Sequence, residues 1–318
     1  MTFRIEIVDP STAAPMAGRV LRASWKPPCL DYSDAYLAWQ FGFPGRLNPV
    51  VALGFLDSQP VGCAAATQRA VVHDGSHIDA YVLSFVAVDP SARGHGLAAA
   101  LYARLLGALS PEAPVIAFAE PNSDGERLLN NAFDKTSYTR HTLGLCRAVG
   151  YVSRPATSER LVSAAAVEQL EDFTSAIPDV DKATIWNRPT PQQWVHYAAD
   201  PRPRTGVLIR DRDGLPIGSA MIVLTAILSA QGLQQVPMLE SVCLPSQSSD
   251  ALRAVFDFAT EQSGAAGTIV ASNLSYLDSS VIRAAGARAL PSSFNAYVFL
   301  GARTYSLQNA AHMNLEVI

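Results

Sequence analysis

The sequence predicts an α/β (α+β) protein built of two tandem modules, each a mixed, twisted sheet flanked by helices. Three observations predict it. First, landmarks of the N-terminal half recur about 155 residues on. Trp39 matches Trp194, Val50-Val-Ala-Leu matches Gly206-Val-Leu-Ile, and Pro90 matches Pro245. Asp57-Ser-Gln-Pro-Val-Gly62 matches Asp213-Gly-Leu-Pro-Ile-Gly218, and Asn122 matches Asn273. A repeat this long means two copies of one domain rather than a solenoid. Second, short apolar runs alternate with helix-like stretches in each half. Third, the apolar run Val82 to Val88 stops at Asp89-Pro90, passes Arg93-Gly94-His95-Gly96, and enters a helix rich in Ala and Leu. The expected domains are 1–153 and 154–318.

In order along the first copy, a mainly helical N-terminal part contains Trp39. Strands are expected near 49–56 and 60–72, joined by the turn at Asp57 to Gly62. A third strand, near 81–88, ends at Pro90. A helix near 95–109, a strand near 115–120 and a helix near 138–149, running into Gly150, complete the copy. The second copy repeats this, with strands near 206–211, 217–224, 236–243 and 267–272 and helices near 248–263 and 276–285. A final strand, Phe294 to Leu300, is expected to close the second sheet. Mixed sheets with helices on their faces fit this order.

Composition excludes several classes. The chain of 318 residues is 49% hydrophobic and 16% charged, so large cores and rather neutral surfaces are expected. Its net charge of −4 lacks the basic footprint of a nucleic-acid binder. No apolar run is long enough to span a bilayer. Met1-Thr-Phe-Arg-Ile-Glu-Ile carries charge within its apolar run and is no signal peptide. Cys29, Cys63, Cys146 and Cys243 are scattered, without C-x-x-C or zinc spacing. Free thiols in a cytoplasmic protein without a metal are expected.

The glycine loop carries the chemistry. A strand feeding a helix through such a loop turns several backbone N–H groups toward one point, where the helix N-terminus adds partial positive charge. Such a place binds phosphate. The spacing is neither G-x-G-x-x-G nor G-x-x-x-x-G-K-[ST], because Gly96 is followed by Leu97-Ala98-Ala99. What stands from Val88 to Ala98 is V-x-P-x-x-R-G-x-G-L-A. This closely resembles the acyl-CoA motif of the GNAT superfamily of N-acetyltransferases. Tyr36-Leu-Ala-Trp-Gln-Phe with Asn48-Pro49, and Ala117-Phe-Ala-Glu-Pro-Asn122, resemble further segments of a GNAT subgroup. With the repeat, the resemblance covers most of the chain.

The resemblance implies an N-acyltransferase using acetyl-CoA or another acyl-CoA. It implies that the amides of Gly94, His95, Gly96, Leu97 and Ala98 hold the pyrophosphate and that Arg93 supports it by charge. It implies that Phe85, Val86, Ala87 and Val88 pair with the pantetheine arm and supply an N–H for the developing oxyanion. It also places Asn122, after the neighbouring strand, among the residues that bind the cofactor. His95 fills the loop between the glycines.

Acyl transfer to an amine needs a proton acceptor and, for the departing thiolate, a proton donor. Glu120, at a strand end beside the acyl-CoA strand, is the best base; the alternative is an exposed strand-end carboxylate. In many GNAT enzymes the acid is a Tyr four residues before a Gly-Phe. Gly150-Tyr151 takes that place here, so the position falls on Cys146, or on Leu129 in a register without an insertion. Either way the Tyr is missing. Tyr138 and His141 are candidate donors or surface residues of an inserted loop. Cys146 is a candidate acyl carrier or a small buried hydrophobe.

The second loop, Pro245-Ser-Gln-Ser-Ser-Asp250, has lost Arg and both glycines. Its Ser and Asp suit helix capping, and its carboxylate repels phosphate. The second copy is therefore expected to be a degenerate module without CoA. The expected partner is a small-molecule amine. An acyl carrier protein as donor, or a non-catalytic acyl-CoA-binding module, are the competing readings. No nucleic acid and no membrane are expected, and the chain is expected to be a monomer or a homodimer.

Overall fold

The computed structural model describes residues 2–152, 162–176, 182–263, 268–271, 274–301, 307 and 309–315. The first half runs β1 (Arg4–Val8), α1 (Pro10–Ser24), β2 (Cys29–Leu30), α2 (Asp34–Phe41), β3 (Val50–Leu56), β4 (Gln59–His73) and β5 (Ser76–Val88). A 3₁₀ turn, Pro90–Ala92, then leads to α3 (Leu97–Leu106), β6 (Val115–Ala119), α4 (Asp124–Phe133) and β7 (Thr139–Val152). The second half begins with β8 (Val162–Ala165), α5 (Val167–Ala176), β9 (Thr184–Asn187), α6 (Pro191–Ala198), β10 (Arg204–Arg210) and β11 (Pro216–Ser229). It ends with β12 (Gly232–Cys243), α7 (Ser249–Ser263), β13 (Thr268–Ala271), α8 (Ser279–Ala284), β14 (Arg288–Leu300) and β15 (His312–Asn314). The expected boundary at 153/154 and the landmark Asn273 lie outside the described residues.

Local chemistry sets the elements. Asp9 caps α1, with Pro10 at its first position, and Ser33 caps α2 by accepting from Tyr36 N–H. Asp57 makes the β3–β4 turn at φ 54°. Gly54 and Gly62 lie where α3 crosses this hairpin. A Cβ on them would meet Leu97 at 2.7 Å and Leu101 at 2.8 Å. Gly218, the repeat of Gly62, is crowded instead by its cross-strand partner Ile209, which a Cβ would meet at 2.7 Å.

The strands form one mixed sheet ordered β1-β3-β4-β5-β6-β14-β7-β13-β12-β11-β10-β8. Read from both ends the order is a palindrome of equivalent strands, so the halves meet about a pseudo-twofold between β14 and β7. This corrects one expectation. The final strand does not close the second sheet: it pairs Asn295 to Phe299 with β6 of the first half, and Arg288 to Leu300 with β7. Strand β7 in turn joins β13 of the second half. Each half thus lends its last strand to the other.

A second correction concerns 138–149. This stretch is not a helix; Thr139–Val152 is the strand β7. Its Thr and Val residues are stiff at χ1 and favour strands, and Gly144 and Gly150 weaken a helix. The helix of this region is α4, fifteen residues earlier. Ser123 caps it by accepting from Glu126 N–H at 3.0 Å.

Helices α3 and α4 cover the first-half sheet and α7 the second-half sheet. The N-terminal helices of both halves share one core. There the Trp39 indole donates to His196 O at 2.8 Å, His196 Nε2 meets Trp39 O at 2.8 Å, and the two rings stack at 5.3 Å. Among the described residues, no helix is long and apolar enough to cross a membrane.

Phe299 on β14 is fully buried and stacks on Phe133 of α4 at 3.5 Å. Phe299→Ala is expected to cost about 3–5 kcal/mol in denaturant unfolding. The halves should melt in one transition, since they share a sheet. A loss under about 1 kcal/mol would show that the exchanged strand is not anchored this way.

Candidate functional site

The site begins with a bulge in β5. Across β4, Cys63 pairs Ala87 and Ala65 pairs Ser84, so Phe85 and Val86 together oppose Ala64. Phe85 sits at φ 57°, a conformation that costs a bulky L-residue about 1–2 kcal/mol. Its ring is buried, with Phe41 edge-on at 5.5 Å and Tyr32 at 6.0 Å. Its carbonyl accepts from the Cys63 thiol at 3.1 Å. Burial pushes that thiol up to about 12, so it stays protonated.

The bulge coincides with the opening of a cleft. Strands β5 and β6 pair in parallel only at Tyr81, Val82 and Leu83, against Val115, Ile116 and Ala117. Beyond that point they register no further pairs. The edge of Phe85 to Val88 facing β6 is therefore open to pairing by an extended ligand. The 3₁₀ turn and the loop follow directly. Gly94 and Gly96 stand at φ 80° and 78°, and a Cβ on either would meet nothing within 4 Å. Gly96 is the N-cap of α3 and offers no side-chain cap, and the first turn carries no acid. The first amides of α3 thus face open space. Glycine is required here by the backbone angle and leaves room for a group that bonds to amides.

Arg93 is placed differently from expectation. Its guanidinium donates to Val88 O and Ser24 O, both at 3.0 Å. It pins the loop to the end of β5 and to the end of α1. The His95 ring is exposed and lies 6.4 Å from that of Phe3. Leu97 is buried under the β3–β4 hairpin, and Ala98 is half-buried.

Glu120 is exposed, one residue past β6, at the mouth of the cleft. Asn122 follows at φ 62° and donates its N–H to Glu126 Oε2 at 2.7 Å. Tyr138 is not at this end. Its hydroxyl donates to Ser110 O at 3.2 Å, beyond the far end of α3, a helix about 15 Å long. Burial pushes it up to about 12. His141 and Cys146 lie on β7, which is two strands from β6, or about 10 Å. His141 pairs with Val298, and Cys146 with Phe294. Burial pushes the Cys146 thiol up to about 11, the direction of an inert thiol. The structure therefore brings together residues 85–88, 93–98, 120 and 122, and leaves 138, 141 and 146 apart from them.

One group beside the cleft escaped the sequence. Glu126, in the first turn of α4, accepts from the Tyr297 hydroxyl and from Asn295 Nδ2, both on β14. The Tyr297 bond, then those from Asn295 and Asn122, hold its carboxyl below the usual range. Burial and this carboxylate push Tyr297 up. The pattern Ser123-x-x-Glu126 signals the helix start, but no sequence signal brings β14 to it. Among the described residues, no three His, Cys, Asp or Glu gather as metal ligands.

The second half repeats the scaffold with different chemistry. Ser241 sits at φ 48° in a β12 bulge equivalent to Phe85, and among the described residues β12 pairs β13 at Met238 and Leu239. Its loop, however, closes on itself. Ser248 Oγ caps α7 at Ala251 N–H, at 3.2 Å, and Asp250 stands in the first turn.

Residues 16–124, about a third of the chain, match the Acetyltransferase (GNAT) family. No curated protein matches the sequence. Among solved structures, Saccharomyces cerevisiae N-myristoyltransferase with bound myristoyl-CoA is 8% identical, with a TM-score of 0.67. The match covers 99% of this chain and 89% of that one. A tandem GNAT protein from the clavulanic acid biosynthesis pathway is 9% identical, with a TM-score of 0.64, covering 95% of this chain and 100% of that one. A putative acetyltransferase from Pyrococcus horikoshii is 12% identical, with a TM-score of 0.63, covering 99% and 94%. At these identities the likeness is one of fold.

Glu126→Gln is expected to lower stability at neutral pH. The folded carboxyl is depressed below its ordinary 4.5, so its contribution is full above that value and fades as pH falls through the folded one. The wild-type advantage in urea unfolding should therefore shrink in acid. An advantage that grows as pH falls would contradict this.

Proposed function

We propose that this chain, whose residues 16–124 match the Acetyltransferase (GNAT) family, is an acyl-CoA-dependent N-acyltransferase. It moves an acetyl or longer acyl group directly to a small amine, with both substrates bound together in the first half. The observation that carries this reading is the cleft between β5 and β6, ending on two left-handed glycines at the uncapped start of α3.

The amides from Gly94 to Ala98 fit a pyrophosphate, as donors pre-set around an open point. The open edge of Phe85 to Val88 fits the pantetheine arm as an added strand. A backbone N–H there can hold the thioester oxygen as it gains charge. The amine attacks the thioester carbonyl as the free base. Glu120, exposed at the mouth, takes the proton that the nitrogen sheds, directly or through one water. As the C–S bond breaks, coenzyme A leaves as the thiolate and takes its proton back from Glu120 or from solvent. Arg93 acts by fixing the loop rather than by touching the phosphate. The second half, with its capped and acidic loop, supplies β14 and packing.

Acyl-CoA at 100 times its dissociation constant should stabilise the chain by about 2.7 kcal/mol, read as a rise in Tm. Gly96→Asp should abolish this rise, because a carboxylate would stand among amides arranged for phosphate. An unchanged rise in a folded variant would move the pyrophosphate site elsewhere.

Thiol release with an amine panel tests the reaction. Glu120→Gln should lower kcat/KM by about 10²-fold or more while the acyl-CoA-induced rise in Tm persists. Wild-type turnover in this variant would remove Glu120 as the base. No release with any amine, despite acyl-CoA binding, would point to a binding module.

A further inference from the structure

A cavity of about 770 Å³ lies between α7, α8 and the strands β7 and β14. That volume falls in the range of small-molecule sites. Four arginines line it, Arg147, Arg253, Arg283 and Arg288, and among the described residues no Asp or Glu does. The chain as a whole carries a net charge of −4, so this concentration runs against its balance. None of the four enters an ion pair among the described residues. Asp278, whose carboxyl feels the charge of Arg283, is engaged in capping α8 at Ser280 N–H, at 2.7 Å.

The arginines are held on three elements. Arg147 shares one face of β7 with Leu145 and Val149, by strand alternation. Arg253 of α7 donates to Ala284 O and to Ala285 O, at the end of α8. This fixes α8, which carries Arg283, against α7. Arg288 opens β14, paired with Gly150 of β7. Arg147, Arg283 and Arg288 are exposed, so their charges are hydrated and available. Gathering like charges around a concavity costs free energy, which a bound anion reverses. Guanidinium forks match carboxylate and phosphate oxygens two at a time.

We propose that this cavity is a binding site for a small anionic ligand, either phosphorylated or polycarboxylate, whose apolar part rests on Leu145 and Val149. It is separate from the glycine loop of the first half and does not depend on the acyl-transfer reading.

Citrate and inorganic pyrophosphate are suitable probes, in chloride buffer, with Tm as the readout. Each should be tested on the wild type, on Gly96→Asp, and on a combined variant carrying Arg283→Ala/Arg288→Ala in the Gly96→Asp background, where the glycine loop cannot hold the pyrophosphate probe. At least one probe should raise Tm by about 2–4 °C in the wild type and in Gly96→Asp. The combined variant should show no rise, with a ligand-free Tm no lower than that of Gly96→Asp, since two mutually repelling charges are removed. A response to citrate alone would mark a carboxylate ligand, and to pyrophosphate alone a phosphate ligand; both support the site. Should the combined variant fold poorly, Arg147→Gln in the Gly96→Asp background should weaken the probe's Kd by about tenfold in calorimetry, the worth of one charge-assisted contact. No rise in the wild type with either probe overturns the proposal. So does a rise that survives in the combined variant, one lost in Gly96→Asp, or a Kd that Arg147→Gln leaves unchanged in that background.

Discussion

The hydrogen bonds of β14 to β6 on one side and to β7 on the other hold the molecule together. Strand β6 leaves β5 after Ala117, so its other edge must be paired for it to stay in the sheet. Asn295 to Phe299 supply that edge from the far end of the chain. Several features depend on this. With β6 fixed, the cleft opens at a defined place. With Asn295 and Tyr297 fixed, Glu126 has its partners and the start of α4 is set beside the cleft. With Phe299 on Phe133, α4 is pressed onto the sheet. The first half, which carries the candidate chemistry, is completed only by the second.

The second half shows how little of the scaffold the chemistry uses. Both halves keep the left-handed bulge, at Phe85 and Ser241. A left-handed residue other than glycine persists only where its surroundings compensate it. Around Phe85 the compensation is an aromatic pocket made by Tyr32 and Phe41. Function divides in the next few residues. Gly94 and Gly96 leave a helix end open to an anion, whereas Ser248 and Asp250 fill the equivalent end. Net free energy favours a capped helix by about 1 kcal/mol, so the open end in the first half is kept at a cost to stability.

Sequence carried much of this, for identifiable reasons. The loop from Val88 to Ala98 is legible because glycine and proline act through backbone angles, which are local. The repeat is legible because turns such as Asp57 to Gly62 and Asp213 to Gly218 are local too, and α3 explains why Gly62 is a glycine. What failed was non-local. β7 contains Leu-Gly-Leu-Cys-Arg-Ala-Val-Gly, whose apolar spacing suits a helix as well as a strand, and pairing on both sides decided for the strand. That error carried Tyr138, His141 and Cys146 to a helix beside the cleft, where none of them stands. The exchange of last strands leaves no trace in any short window, so the Glu126–Tyr297 contact could not be read either. The Phe85 bulge is hidden for another reason, because no letter at that position announces a positive φ.

On the proposed reading, two scaffolds with one open helix end give one donor site per chain. Isothermal titration of the full chain with coenzyme A tests this most directly. A stoichiometry near one is expected. A value near two would show that the capped end at Ser248 also takes the ligand, and absence of binding heat at several temperatures would show that the open end at Gly96 does not.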